Sequence, residues 1–217
     1  PNYAEAYSNL GNVYIELGQL EMAVASYHRA IDLEPDFAEV HVNLSRTLLL
    51  DEDYEKGWQE YEWRLKCENF PIEKRGFSQP VWDGSSLHGK AIFLYAEQGF
   101  GDTIQFIRYV YILAQYQVDI IFECQFELLT LFESIEVITQ LIVEGDPLPD
   151  FDFHAPLLSL PRIFRTDLES IPSKIPYLCP KLASFICLSP NDKLRIGIAW
   201  AGNPKNSNDD TRSVDLQ

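Results

Sequence analysis

Basic residues are scarce in this chain. Seventeen Lys and Arg stand against 33 Asp and Glu, a formal net charge of −16 over 217 residues. An acidic body repels phosphate backbones. No basic patch offsets it, the densest cluster being Glu73-Lys74-Arg75. Nucleic acid is therefore not an expected partner, and the acidity reads as a solvated surface. Long apolar runs are also missing. None approaches the roughly 20 residues of a membrane helix, so no membrane span is expected. The N-terminus has no basic-then-apolar leader. The chain starts at Pro1, without Met and inside a repeat pattern, so it is expected to be a piece of a longer protein. Cysteine is sparse. Cys67, Cys124, Cys179 and Cys187 form no C-x-x-C pair and no dense disulfide framework, which points to a reducing, cytoplasmic setting. His28, His41, His88 and His154 are scattered without metal-ligand spacing, so no metal site is expected. The rest is ordinary: 46% hydrophobic and 23% charged residues fit a globular protein of one large or two small domains.

The first segment carries a helical pattern. Tyr7, Leu10 and Tyr14 follow i, i+3, i+7 spacing, and Gly18 ends that helix. Ala23, Tyr27, Ala30 and Ile31 repeat the spacing, and Pro35 stops the second helix. Gly11 and Ala23 are small, which lets the two helices approach closely. The order aromatic, Leu-Gly, Tyr, Ala, aromatic, Ala, Pro resembles the tetratricopeptide repeat. A second unit begins at Ala38, with His41, Leu44, Ser45, Leu48, Gly57 and Tyr61 in corresponding places. The match then decays. Arg64 stands where a small residue is usual, and Asn69 where Pro would be, so the unit reads as a terminal repeat or a cap against the next domain. The tyrosines at repeat positions are expected to be core. The concave face of such a stack binds an extended peptide, so a protein or peptide partner is expected there.

Residues 64–89 break this period with Pro71, Gly76, Pro80, Gly84 and Gly89. Trp82 looks exposed in this linker and is expected to pin it to a neighbouring domain. From Lys90 the pattern becomes strand, loop, helix. Strands are expected at Ala91 to Tyr95, Val118 to Glu123, Val137 to Val143 and Phe151 to Leu158. Helices are expected from Ile104 to about Tyr116 and over Phe126 to Glu133. This alternation predicts a parallel sheet covered by helices. After a Pro-rich connector (Pro172 to Pro190), Leu194, Ile196, Ile198 and Trp200 alternate as a further strand. The expected fold class is α + α/β: tetratricopeptide hairpins (1–70), a linker (71–89), a Rossmann-like domain (90–190) and the start of a further domain (191–217).

Chemistry is expected in the loop after the first strand, Glu97-Gln98-Gly99-Phe100-Gly101-Asp102. Gly99 and Gly101 let the backbone turn tightly and approach a ligand. Asp102 has two readings that are compatible. Its carboxylate can cap the next helix. It can also act as a general base at the carboxyl edge of a parallel sheet, where ligands bind in such folds. The loop lacks the third glycine of a dinucleotide fingerprint, which argues against a nicotinamide oxidoreductase. There is no Walker A lysine and no G-x-S-x-G elbow. His154, in Asp152-Phe153-His154-Ala155-Pro156, either faces a substrate or is a satisfied structural histidine.

Several separated motifs, in order, resemble a group of bacterial tetratricopeptide proteins with a C-terminal glycosyltransferase-like region. They are Trp82-Asp83-Gly84, Gly89-Lys90, Glu97 to Phe106 with Arg108-Tyr109, Leu157 to Pro161, Pro176-Tyr177-Leu178, Gly197 to Pro204, Asn208-Asp209 and Arg212-Ser213. That region is similar to the heptosyltransferase-like enzymes, whose two facing Rossmann domains form the GT-B arrangement. The resemblance implies that residues 90–190 are the acceptor-side half of such a fold. It makes Asp102 the base that deprotonates the acceptor hydroxyl, in an inverting transfer without metal or cofactor. Glu97, Gln98, Gly99, Gly101, Gln105 and His154 would bind substrate. Gly202, Asn203, Pro204, Arg212 and Ser213 would lie on the donor side, near the phosphates of a nucleotide-sugar. Only the first strand and loop of that donor domain are present, so activity is expected of the longer parent and not of this chain alone. The alternative is a non-catalytic interaction module.

Overall fold

The structure, a computed structural model, describes residues 3–67 and 75–179. By its internal contacts the chain divides into two units, and the described residues all lie in the first, residues 1–181. The strand expected at 194–200 falls outside the described residues.

The first hairpin pairs α1 (Ala4–Glu16) with α2 (Leu20–Leu33). Gly18 turns the chain between them with φ +70°, a conformation that favours glycine. The helices cross at Gly11. A Cβ there would lie 2.4 Å from Cε1 of Tyr27, so only a bare backbone lets the buried Tyr27 ring in. The Tyr27 hydroxyl donates to Asn12 Oδ1 at 2.8 Å, which satisfies it inside the hairpin.

The second hairpin pairs α3 (Ala38–Leu50) with α4 (Tyr54–Tyr61). α3 is buried on several sides, at Val40, His41, Val42, Leu44, Ser45, Thr47 and Leu48. It lies between α2 and α4, which explains why its apolar pattern is wider than one stripe. Asp53 caps α4 by accepting from the Lys56 N–H at 3.3 Å. α4 is short. It tightens into a 3₁₀ stretch, Glu62–Lys66, where the repeat pattern decays.

The α/β part holds four parallel strands: β1 (Ala91–Tyr95), β2 (Asp119–Cys124), β3 (Gln140–Val143) and β4 (Phe153–Pro156). Their order is β3-β2-β1-β4, with every neighbouring pair parallel. This is a Rossmann-like half-sheet. β1 is buried on both faces, as its continuous apolar run requires. Ile92 and Leu94 pack under Ile107, Val110 and Leu113. Phe93 and Tyr95 point to the other face, among Ile121, Ile142, Phe77 and Phe151.

The helix expected through Tyr116 is segmented. α5 (Phe100–Phe106) gives way to a 3₁₀ turn at Ile107–Tyr109, then to short turns ending at Tyr116. β-branched and aromatic side chains lower helix propensity there. Burial of Ile107, Tyr109, Val110 and Leu113 sets the backbone instead.

Trp82 is not exposed. It is 1% accessible, packs edge-on against Tyr116 and Phe164, and donates from Nε1 to the Ser85 carbonyl at 2.9 Å. Its neighbour Val81 bridges to His154 of β4, and the Trp82 N–H donates to the His154 carbonyl. The end of the expected linker is thus laid along the sheet edge.

Gly11→Ala is expected to destabilise the first hairpin by about 1–3 kcal/mol, because the methyl group overpacks the Tyr27 ring. Urea unfolding followed by far-ultraviolet circular dichroism measures it, as a lower midpoint at unchanged slope.

Candidate functional site

In a sheet of this order, the chain leaves β1 in one direction and reaches β4 from the other. Ligands of such folds bind outside the carboxyl ends of the strands at this divergence. Here the place is built by the loop after β1 (residues 96–99), the turn after β4 (Leu157–Ser159) and the start of α5.

Asp102 is the third residue of α5, and Gly99 takes the cap position with no side-chain cap bond. The expected capping role is therefore corrected: a carboxylate at the third helical position lies past the cap. It still favours the positive end of the helix dipole. The Asp102 side chain is half-buried and makes no hydrogen bond or ion pair among the described residues. A Cβ at Gly99 would lie 3.6 Å from Asp102 Oδ2, so the carboxylate lies over that loop residue. Neither Gly99 nor Gly101 has a positive φ, so the expected tight turn is not what calls for glycine. At Gly101 a Cβ would meet nothing within 4 Å, and the surface beside Asp102 is open. Gln105 is exposed one turn along the same helix.

Gln98 does not reach outward. Its Nε2 donates to the Tyr61 hydroxyl of α4 at 3.0 Å, and its carbonyl accepts from Gln125 Nε2 at 2.7 Å. Thr103, fully buried, lies 3.1 Å from Gln125 Oε1 and 3.3 Å from the Gly99 carbonyl. Gln125, after β2, therefore braces the loop from behind.

Glu97 is buried and used up within the protein. Its carboxylate takes a two-pronged bond from Arg64, Nε to Oε1 at 3.1 Å and Nη2 to Oε2 at 3.0 Å, and accepts the Leu158 N–H at 3.1 Å. Arg64 has no accessible surface. Its remaining donors go to the Tyr61 carbonyl (3.1 Å), Glu62 Oε1 (2.9 Å) and Ser159 Oγ (2.9 Å). Those bonds use all five N–H groups of the guanidinium. Burial works against its charge, but Glu97 and Glu62 outweigh that and hold its pKa above the ordinary value. Geometry thus speaks against Glu97 as a substrate-binding residue. The sequence shows only that Arg64 occupies a place where the repeat takes a small residue; that Glu97 is its partner, 33 positions on, is set by the fold.

His154 is not part of this group. It lies on β4, with its ring against Phe77 (centroids 4.9 Å apart), Phe151 and Tyr95 on the aromatic face of the sheet. It is 9% exposed and its Nδ1 is buried without a hydrogen-bond partner, so it is neither a substrate contact nor a fully satisfied structural histidine. Burial pushes its pKa below the ordinary value.

Gly202, Asn203, Pro204, Arg212 and Ser213 lie outside the described residues. Among the described residues no group of three His, Cys, Asp or Glu is placed to hold a metal ion, and no helix is long and apolar enough to cross a membrane. A cleft of about 1000 Å³ lies elsewhere among the described residues. It runs between Glu55, Trp58 and Gln59 of α4 and the stretch Arg162 to Asp167, and none of the expected site residues lines it.

Residues 4–37 match the tetratricopeptide repeat family. Protein FlbA of Caulobacter vibrioides is 28% identical over 109 residues, covering 49% of this chain and 18% of that protein. A solved structure, the Thermobaculum terrenum O-GlcNAc transferase with a K341M substitution, is 22% identical. It covers 58% of this chain and 24% of its own at a TM-score of 0.29, too low to carry an argument. The chain spans less than a quarter of the length of either protein.

Two outcomes are expected. Glu97→Ala strands the Arg64 charge and costs about 3–5 kcal/mol, read as a lower melting temperature. His154 makes stability pH-dependent. Its folded pKa lies below its unfolded value of 6.5, so the unfolded chain binds the proton first. Stability is then lost as pH falls from the unfolded value toward the folded one. Thermal melts between neutral and mildly acidic pH should fall less steeply for His154→Phe than for the natural chain.

Proposed function

We propose that this chain is the acceptor-side half of a tetratricopeptide-bearing glycosyltransferase that moves a sugar from a nucleotide-sugar to a hydroxyl. Asp102 carries the reading. It is a half-buried carboxylate at the carboxyl edge of β1, bound to no other described residue, beside an open surface at Gly101. A base must have a free lone pair and room for the group it deprotonates, and Asp102 has both. In the proposed step Asp102 takes the acceptor proton as the acceptor oxygen bonds to the anomeric carbon. The bond from that carbon to the nucleotide phosphate breaks, and the nucleotide leaves. Attack from the opposite side inverts the sugar. The hairpins hold the protein that carries the acceptor.

A second reading draws on a different observation. The divergence of β1 and β4, where ligands of such folds sit, is filled by Arg64 and Glu97. A filled crevice suits a scaffold whose work is done on the repeat surface alone.

Turnover of nucleotide-sugars by the whole protein separates the two. The enzyme reading expects Asp102→Asn to lower kcat by about 10²–10⁴ with KM little changed. Equal turnover by that variant, or none by the natural protein across a broad donor panel, favours the scaffold.

A further inference from the structure

The last helix of the repeats is joined to the helix that carries Asp102 at both ends. At the start of α5, the Tyr61 hydroxyl accepts from Gln98, and Arg64 holds Glu97 in a two-pronged ion pair. The Arg64 guanidinium also lies 4.7 Å over the Tyr61 ring, which ties these two contacts to each other. At the far end, Trp58 of α4 meets Phe106 edge-on, with centroids 6.2 Å apart. Trp58 Nε1 donates to the Thr166 carbonyl at 3.0 Å, which fixes the indole against the α/β part. Three residues on two successive turns thus clamp a seven-residue helix whose own end lacks a side-chain cap.

Such a helix has little stability of its own. Its position is set by what it packs against. Gln125, bonded to Thr103 of α5 and to the Gln98 carbonyl, braces it from the sheet side, and α4 with its 3₁₀ extension braces it from the repeat side. Arg64 is the least replaceable of these. Lysine could keep the charge but could not make two parallel bonds to Glu97 while reaching the Tyr61 carbonyl, Glu62 and Ser159.

We infer that Arg64, with Tyr61 and Trp58, positions Asp102, so that the terminal repeat is a working part of the site and not a detachable docking module. This rests on Asp102 being the reactive group, but the clamp itself can be tested without turnover.

Amide hydrogen exchange in the whole protein is the first test. Arg64→Lys is expected to speed exchange at Thr103 to Ile107 by about tenfold or more, through local opening. Exchange at Ile121 and Phe122 of β2 should stay unchanged. Tyr61→Phe, which removes only the bond from Gln98, should act in the same direction and less strongly. Equal acceleration in α5 and β2, or none in α5, overturns the inference. Should Arg64→Lys fail to fold, Tyr61→Phe and Trp58→Phe carry the same comparison. Turnover is the second test. A positioning role predicts that Arg64→Lys lowers kcat and leaves the donor KM unaltered, while a raised KM at intact kcat contradicts it. If Asp102→Asn leaves turnover intact while Arg64→Lys still loosens α5, the catalytic reading fails and the clamp stands.

Discussion

The Arg64–Glu97 pair is the contact on which the described structure turns. Removing two ions from water costs more than a surface pair returns, and it is tolerated only where every donor and acceptor is met. That condition is fulfilled on the cation's side by Glu97, Glu62, Ser159 and the Tyr61 carbonyl, and on the anion's side also by the Leu158 N–H. These groups come from the 3₁₀ extension of the repeats, the loop after β1 and the turn after β4. They fit together in one arrangement, so the pair specifies geometry more than it adds stability.

Other contacts follow from that arrangement. With Arg64 in the divergence of β1 and β4, Tyr61 falls beside Gln98 and Trp58 beside Phe106 and Thr166. Ser159 also donates to Glu62, which lies 3.3 Å from Arg162 Nε, extending the charged group toward the surface. The place where a ligand would enter a simple half-sheet is closed by the protein itself. The open surface is displaced along α5, toward Gly101, Asp102 and Gln105.

The hairpins were legible because repeats state their packing locally. Gly11, Ala23, Tyr27 and Ala30 recur at spacings that only one helix pair satisfies, and residues 4–37 match the repeat family. The strands were legible because buried parallel strands are short apolar runs, as at Ala91–Tyr95. The site was less so. Asp102 and the glycines mark a strand-to-helix loop, but the same motif gave no sign that Glu97 is consumed within the protein or that His154 faces the aromatic side of the sheet. Trp82 looks exposed among Pro and Gly, but the reading that it pins the linker to its neighbour agrees with its place among the most buried side chains.

The sequence by itself determined the helical hairpins, the order of the elements and the parallel half-sheet. Those rest on backbone propensity and on periodic burial, and each is written within a dozen neighbouring residues. Tertiary structure alone decided which polar residues are free for chemistry. Arg64 and Glu97 are 33 positions apart, and Arg64 and Ser159 are 95 apart. Whether a carboxylate binds a ligand or neutralises a buried cation depends on what the fold brings beside it, and no local pattern records that.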